Sequence, residues 1–326
     1  MLFVENPSLD PYFNIATEEY LLKHLDVEVI MVWRSKPSIV VGKHQNTLAE
    51  INLPYVKKHQ IPVLRRLSGG GTVFHDPGNI NFTFIKKAPK EKLIDFRAHT
   101  KPVIDFLQSL NLDARFQGKN DLRVDGLKIS GNAEHVYKDK VLHHGTLLFD
   151  ANLQSLNEAI KSREENFQSK AVKSVRSTVA NISSLLPRKM DRETFMSLLK
   201  SFLLERFSSC ELYTLSTQDV KSIEKIKQEK YTSWDWNYGW SPVYVFSHQK
   251  IINNTPVSVT LKVKKGVILS AHISENNQSI NDSHPLAESL QGVEHHPDKV
   301  SNLLSEMNFQ QYNQLTDKWM LLELFF

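Results

Sequence analysis

The chain has 326 residues, of which 40% are hydrophobic and 23% charged, and its formal net charge is +4. This composition is typical of a globular protein with a buried core, and the length allows two or three domains. The single cysteine, Cys210, excludes a disulfide within the chain and a cysteine metal site. No apolar run approaches the roughly 18 residues of a membrane span. The start of the chain lacks the features of a secretory signal, so we expect a cytoplasmic protein with no membrane partner.

The first part of the chain predicts a helix that packs on strands. Asp10 followed by Pro11 is typical of a helix N-cap with proline at the first helical position. Strand-like apolar runs follow at 29–33 and 38–42, a short helix starts near Pro54, and a further strand spans 61–64.

A glycine triplet between two predicted strands is the most informative stretch of the sequence. Arg65, Arg66, Leu67 and Ser68 precede Gly69-Gly70-Gly71, and the strand Thr72-Val73-Phe74-His75 follows. Glycines add nothing to a core, but they leave backbone N–H groups open to a close ligand. The two arginines add donors that suit phosphate or carboxylate. The stretch is compatible with an anion-binding loop or with a tight hairpin flanked by surface arginines. It matches neither a P-loop nor a dinucleotide-binding turn.

The next elements predict two hairpins. The segment 80–85 alternates as a half-buried strand, and with the strand 72–75 it predicts a hairpin closed at Pro77-Gly78-Asn79. An amphipathic helix follows around 103–110. Asp125-Gly126 then predicts a second hairpin, whose return strand carries Lys128 among small residues.

Three polar positions in this second hairpin leave their roles open. Lys128 is compatible with a solvent-facing side chain or with one that enters a pocket left open by small neighbours. Asn120 and Asp121 are compatible with plain turn residues or with a polar anchor for a ribose, an amine or a metal-bound phosphate. The adjacent His143 and His144 invite a metal interpretation, but neighbouring residues on a strand point to opposite faces, so no metal is implied.

The second half of the chain alternates between helices, a loop and a final group of strands. Amphipathic helices are predicted around 153–160, 195–202 and 220–226, and the charged segment 163–174 predicts a mobile loop. The aromatic segment 231–240 favours a packed domain closure over a surface that stacks bases. Strands at 243–246, 257–263 and 267–273 then indicate a separate small α/β unit. We therefore divide the chain into a catalytic domain, 1–245, and an accessory domain, 246–326.

Taken together, these motifs resemble the lipoate–protein ligase A and lipoyltransferase family. The matching pieces, which keep the family's order and spacing, are 65–76 with Asn79, 119–122, 128–133, 144–148, 174–177 and 233–239. The resemblance implies an α+β fold with the mixed sheet of biotin and lipoate ligases and a small C-terminal domain.

The resemblance also implies a two-step reaction and its substrates. Lipoate and Mg-ATP would form lipoyl-AMP, and a lysine of a lipoyl carrier domain would then attack this anhydride. The implied carriers are E2 subunits of 2-oxoacid dehydrogenases and the glycine cleavage H protein. ATP, Mg²⁺ and lipoate are the implied small molecules, with no tightly bound cofactor and no nucleic acid.

Site residues follow from matching positions in the family motifs. Lys128 would be catalytic, with its charge stabilising both transition states. The implied ATP and adenylate site consists of Arg66, Gly71, Thr72, Val73, Phe74, Asn120, Asp121 and Lys128. The implied lipoate site consists of Ser68, Gly69, Gly70, Gly71, His75, Lys128, Ala133 and His144. Asp121 would also contact Mg²⁺.

Other functions remain open from the sequence. An ATP-independent lipoyltransferase that uses lipoyl-AMP or a lipoylated donor protein has nearly the same motifs. A thioester route through Cys210 is disfavoured because that residue is far from every motif in sequence. A non-catalytic scaffold is disfavoured by the joint presence of Arg66, Asn120, Asp121 and Lys128. A nucleic-acid-binding role has only modest basicity and three tryptophans in its favour.

Overall fold

The structure is a computed structural model. It describes the chain except residues 88, 90, 92–93, 161–163, 176, 253, 276–277, 280–284 and 308–317. Within the described residues, no helix combines the length and the apolar character needed to cross a membrane.

Sixteen strands and eleven α-helices are described. The strands are β1 Leu2–Glu5, β2 Val29–Trp33, β3 Ser38–Val41, β4 Val63–Arg65, β5 Val73–His75, β6 Asn79–Lys87, β7 Arg115–Gln117, β8 Asp121–Val124, β9 Leu127–Tyr137, β10 Lys140–Leu148, β11 Phe167–Ser169, β12 Glu211–Thr214, β13 Tyr244–Ile252, β14 Thr255–Lys264, β15 Val267–Glu275 and β16 Gln278–Ser279. The helices are α1 Pro11–His24, α2 Thr47–Glu50, α3 Leu53–Lys58, α4 Phe96–Ser109, α5 Leu153–Ala159, α6 Ile182–Leu185, α7 Arg192–Arg206, α8 Thr217–Ile226, α9 Pro285–Ser289, α10 Pro297–Glu306 and α11 Lys318–Leu324.

Eight strands form a mixed sheet in the order β12-β1-β2-β6-β10-β9-β8-β7. Strand β6 lies between β2 and β10 and is buried from Asn79 to Ile85, so the predicted half-buried strand is in fact covered on both faces. The Asp125-Gly126 hairpin is confirmed: both residues have positive φ, 50° and 78°, as a type I′ turn requires. Asp10 caps α1 through its side chain, as predicted.

The glycine triplet belongs to a second, three-stranded sheet in the order β4-β3-β5. Strand β5 pairs with β3, whereas β6 pairs with β2 and β10 in the large sheet. The predicted hairpin of 72–75 with 80–85 is therefore wrong. The turn at Pro77-Gly78 carries the chain from one sheet to the other, and a local turn signal cannot show which strand will be the partner.

The C-terminal strands form a third sheet, in the order β11-β13-β14-β15-β16. Its first strand comes from the segment predicted as a mobile loop, because Phe167 pairs with Phe246 and packs on Tyr244. Arg163, at the start of that predicted loop, lies outside the described residues. The division after residue 245 falls just inside β13 and stays a prediction.

Candidate active site

A cavity of about 770 Å³ opens between the glycine triplet and the β8–β9 hairpin. Strands β5, β9 and β10 supply its walls, and residues 172–175 and Ser177 border it. Most of the residues predicted for the site line it: Arg66, Gly70, Gly71, Thr72, Val73, His75, Asn120, Asp121, Lys128, Ala133 and His144. Tertiary structure thus brings together motifs separated by up to about 80 positions in the sequence.

Three residues predicted for the site, Ser68, Gly69 and Phe74, do not line the cavity. Ser68 is fully buried, and Gly69 is half-buried, but neither lines the cavity. Phe74 lies between Val73 and His75 on β5 and therefore points to the opposite face, where it joins the core beneath the C-terminal sheet. The side chain of Phe74 is consequently a packing element.

Arg66 holds the conformation of the glycine loop, residues 69–71, through hydrogen bonds to its backbone. Its Nη2 donates to the carbonyls of Gly69 at 2.6 Å and Gly71 at 2.7 Å, Nη1 donates to Val40 O, and Nε donates to Ser68 Oγ. These bonds use four of the five guanidinium N–H groups, so Arg66 offers a ligand its charge and one remaining donor. Burial lowers the pKa of Arg66 to about 10, and the residue stays cationic at neutral pH.

Arg65, expected from the sequence to supply donors for an anion, instead points away from the cavity. It is fully buried and donates to the carbonyls of Gly42, Lys43, Gln45, Trp236 and Asn237 and to the hydroxyls of Thr47 and Ser241. Consecutive residues of a strand face opposite sides, so only one of the two arginines can reach the site. Arg65 joins the segment 42–47 to the aromatic segment 231–240, whose Trp236 donates back to Arg65 O.

A buried polar chain supports the wall that carries His144. His144 Nε2 lies 2.6 Å from Ser68 Oγ, and His144 Nδ1 lies 2.9 Å from a carboxylate oxygen of Glu18. Because Ser68 Oγ accepts from Arg66 Nε and Glu18 can only accept, a neutral His144 carries its proton on Nδ1. Ser68 does not line the cavity, so the chain orients His144 and supplies no nucleophile. Glu18 was not predicted; in the sequence it is one of two adjacent glutamates in α1, and nothing there distinguishes it from Glu19.

Lys128 faces the cavity because of a bulge in the β8–β9 hairpin. Arg123 pairs with Lys128 and Leu122 with Ser130, so Ile129 is the extra residue, and its side chain is buried. The bulge places Lys128 on the same side as Gly131, where a glycine leaves room for its ammonium. Lys128 Nζ lies 2.8 Å from Asp121 Oδ1. Of the two orientations that the sequence left open for Lys128, the structure therefore has the one in which the side chain enters the pocket.

Asn120 and Asp121 act as anchors within this wall. Asn120 Nδ2 donates to Asn132 O at 2.5 Å, which ties the start of β8 to β9. The carboxylate of Asp121 accepts from Lys128 on one oxygen and from Arg123 on the other, each at 2.8 Å.

The segment 172–175 is held against the glycine loop by a polar cluster that the sequence did not reveal. Ser174 Oγ accepts from Thr72 N at 2.9 Å and from Gln45 Nε2 at 3.1 Å, and it donates to the buried carboxylate of Glu50. A methyl group on Gly71 would lie only 3.2 Å from Ser174 Oγ, so the two segments are in close contact. Arg176, part of the motif at 174–177, lies outside the described residues.

His75 lines the cavity as a neutral imidazole. Burial lowers its pKa to about 3, and the nearby charge of Arg66 adds to the effect. Its Nδ1 is buried without a hydrogen-bond partner among the described residues. The cavity therefore has Arg66 on the side of the glycine backbone and Lys128 on the side of the β8–β9 hairpin, and Lys119, Arg123 and Lys173 also line it.

Comparison with known proteins gives a consistent picture along the chain. The family model for the lipoyl protein ligase A/B catalytic domain matches residues 10–203, and the model for the bacterial lipoate protein ligase C-terminus matches 241–325. Lipoate-protein ligase LplJ of Bacillus subtilis is 40% identical over 317 residues, which are 96% of each chain. Lipoate–protein ligase 1 of Staphylococcus aureus is 37% identical over 315 residues, again 96% of each chain.

Solved structures share the fold at lower identity. Plasmodium falciparum LipL1 in complex with lipoate superposes with a TM-score of 0.61 at 23% identity and covers 99% of both chains. A lipoate-protein ligase A bound with ATP gives a TM-score of 0.62 at 23% identity and covers 73% of this chain and 98% of its own.

The mixed sheet carries the hairpin of Lys128, and the glycine loop that faces this hairpin belongs to the three-stranded sheet. Together they define an α+β protein of the lipoate ligase fold class. The two family models and the close relatives then settle the identity within that class. The chain belongs to the lipoate–protein ligase family and is an enzyme of that family.

Proposed function

We propose that the protein is an ATP-dependent ligase that activates lipoate to lipoyl-AMP and transfers the lipoyl group to a lysine of carrier domains. The observation that carries this proposal is the placement of the glycine backbone, Lys128 and Asp121 around one cavity of about 770 Å³. That volume lies within the range of about 300–1,000 Å³ typical of small-molecule sites. Of the two related structures described above, the first contains lipoate and the second contains ATP.

In the first step, a carboxylate oxygen of lipoate attacks the α-phosphorus of ATP, and pyrophosphate leaves with the electrons of the broken P–O bond. Two like-charged reactants must approach each other, so fixed cations are needed where they meet. Lys128 supplies one such charge, held in place by Asp121 at 2.8 Å. Arg66 supplies the second charge from beneath the glycine loop, while Gly70 and Gly71 let the backbone approach the phosphate.

A magnesium ion fits the donors present. Asp121 is the one predicted metal ligand, and its carboxylate has lone pairs beyond the two that accept from Lys128 and Arg123. Mg²⁺ bound with nucleotides usually takes one or two carboxylates plus phosphate oxygens. Asp121 would hold it, and the ion would neutralise charge on the leaving pyrophosphate.

In the second step, the ε-amine of the carrier lysine attacks the lipoyl carbonyl, the C–O bond to AMP breaks, and the amine loses a proton. No side-chain nucleophile is needed because the anhydride is already activated. Lys128 stabilises the developing negative charge on the acyl and phosphate oxygens. Neutral His75, Ala133 and the Glu18-oriented His144 form the wall that we assign to the acyl chain.

The proposed adenylate contacts are therefore Arg66, Gly71, Thr72, Val73, Asn120, Asp121 and Lys128, and the proposed acyl contacts are Gly70, Gly71, His75, Lys128, Ala133 and His144. Ser68 holds Arg66 and His144 in place, the Gly69 carbonyl accepts from Arg66, and Phe74 packs in the core on the other face of β5. For carrier domains, we propose E2 subunits and the H protein. In support, an archaeal bi-partite lipoate protein ligase has been described with its E2 lipoyl domain.

The test is lipoate-dependent exchange of labelled pyrophosphate into ATP with purified protein and Mg²⁺. Exchange is expected, and lipoylation of an apo carrier domain should follow. If exchange is absent while transfer from supplied lipoyl-AMP or a lipoylated donor persists, the protein is a transferase and the activation half of the proposal is wrong.

A further inference from the structure

Behind the wall of the cavity, two histidines and a glutamate converge under α4. Residues of β9 and β10 alternate between two faces, so Ala133 and His144 line the cavity while their neighbours Glu134 and His143 point the other way. Glu134 and His143 are directly opposite each other in the ladder, and His99 reaches them from α4. The cluster formed by His99, Glu134 and His143 is therefore separate from the proposed catalytic site.

The geometry of this cluster is that of a preformed set of ligands. His99 Nδ1 lies 2.8 Å from Glu134 Oε1, and His143 Nδ1 lies 2.9 Å from the same oxygen. One potential ligand atom from each residue lies within 4.8 Å of the other two. Glu134 and His143 have side-chain exposures of 1% and 0%, whereas His99 keeps 12%. The cluster is closed on the sheet side and reaches solvent only past His99.

Two polar atoms of the cluster are left bare. Glu134 Oε2 and His143 Nε2 are buried and have no hydrogen-bond partner among the residues that the structure describes. Buried polar atoms without partners cost free energy, and such exceptions call for a ligand or a functional reason. The carboxylate is also paired with imidazoles, not with lysine or arginine.

The protonation states also suit ligation. Burial lowers the pKa of His143 to about 4, so its imidazole is neutral at pH 7. Burial raises the pKa of Glu134, but hydrogen bonds from His143 and His99 outweigh this effect and hold that pKa below its ordinary value. The cluster thus combines the carboxylate of Glu134 with the neutral imidazole of His143. Without a bound cation, the protein interior has to hold the negative charge of that carboxylate.

We propose that His99, Glu134 and His143 bind a divalent transition metal of the Zn²⁺ class. Two imidazoles and one carboxylate are borderline ligands that suit Zn²⁺, Co²⁺ or Ni²⁺ better than Mg²⁺ or Ca²⁺. On binding, the metal takes one carboxylate oxygen of Glu134 and one ring nitrogen of each histidine. A histidine that binds through Nε2 keeps its Nδ1–H donated to Glu134, and a histidine that binds through Nδ1 moves that proton to Nε2. Three protein ligands leave a further position for water. His99 also lines a cavity of about 390 Å³, which gives the cluster a route to solvent. The metal would tie α4 to the two strands that carry Ala133 and His144.

The experiment uses the full chain after treatment with a chelator. Equilibrium dialysis against Zn²⁺, with excess Mg²⁺ to occupy oxygen-rich sites, should leave one Zn²⁺ per chain. Substitution by Co²⁺ should give the visible absorption of a site with nitrogen ligands and low coordination number. Zn²⁺ should also raise the melting temperature of the protein.

Matched variants decide whether the bound metal occupies this cluster. His99→Ala should weaken Zn²⁺ affinity at least about tenfold, as loss of even supporting residues does at metal sites. His24→Ala removes an exposed histidine from the end of α1 and should leave the affinity unchanged. If His99→Ala fails to fold, His99→Phe keeps a ring beside His143 and serves instead. Absence of bound Zn²⁺ in the wild type, or equal affinity in the wild type and the His99 variant, would overturn the proposal.

Discussion

Gly42 lies outside the glycine triplet, yet the structure predicts that it controls the position of the triplet. A Cβ added at Gly42 would lie 2.1 Å from the carbonyl oxygen of Gly70, whereas real contacts of this kind stay beyond 3.0 Å. The two atoms would have to separate by about 0.9 Å, the difference between these distances. The neighbour is backbone, so it cannot turn aside as a flexible side chain would.

We expect Gly42→Ala to displace the glycine loop and to lower kcat/KM for carrier lipoylation about a hundredfold. A misplacement of about 1 Å can cost that factor, which corresponds to about 2.7 kcal/mol of transition-state stabilisation. Gly69→Ala is the matched control, since Gly69 has an ordinary φ and a Cβ there would meet no atom within 4 Å. Its kcat/KM should stay within about twofold of the wild type, as for other substitutions without a structural consequence.

The assay is the initial rate of lipoylation of an apo carrier domain, with pyrophosphate exchange measured in parallel and folding checked by circular dichroism. Near-normal activity of Gly42→Ala, or loss of activity in Gly69→Ala alone, would show that the triplet acts through its own residues and that the contact with Gly42 is unimportant.

Three further outcomes are expected. Lys128→Met should reduce kcat about a hundredfold, both in pyrophosphate exchange and in transfer from supplied lipoyl-AMP, because one cation serves both steps; near-normal rates would contradict its assignment. Arg65→Met should lower the free energy of unfolding by at least about 3 kcal/mol in urea titrations, because several buried carbonyls lose their donors; an unchanged midpoint would refute this role. The buried His75 and His295 have pKa values lowered to about 3 and about 4, so below pH 6.5 the unfolded chain binds more protons than the folded chain. The free energy of unfolding should therefore fall as the pH is lowered from 6.5 to 4. The expected slope is about 1.4 kcal/mol per pH unit for each histidine, and a flat profile over that window would contradict it.

The order of most secondary-structure elements and the family were predicted from local sequence signals. The cap at Asp10, the Asp125-Gly126 turn and the opposite orientation of His143 and His144 depend on residues adjacent in sequence, and local conformational rules suffice for them. Most of the candidate site was also predicted, because its motifs are short and each occupies one loop or strand end.

Tertiary structure decided what the local rules could not. The sequence could not show that β5 pairs with β3 and not with β6, since strand pairing depends on contacts between distant segments. By residue type Arg65 and Arg66 were equivalent donors, and the family motif implied only Arg66; the two environments give the physical reason, since Arg65 is bonded within the core and Arg66 lies at the glycine loop. Glu18 reaches His144 across 126 positions of sequence, a contact that exists only once α1 packs against β10. A sequence motif shows the chemistry of residues that are close together along the chain. The partner of a buried charge is set by packing instead, because an unpaired buried polar group is costly wherever it lies in the sequence.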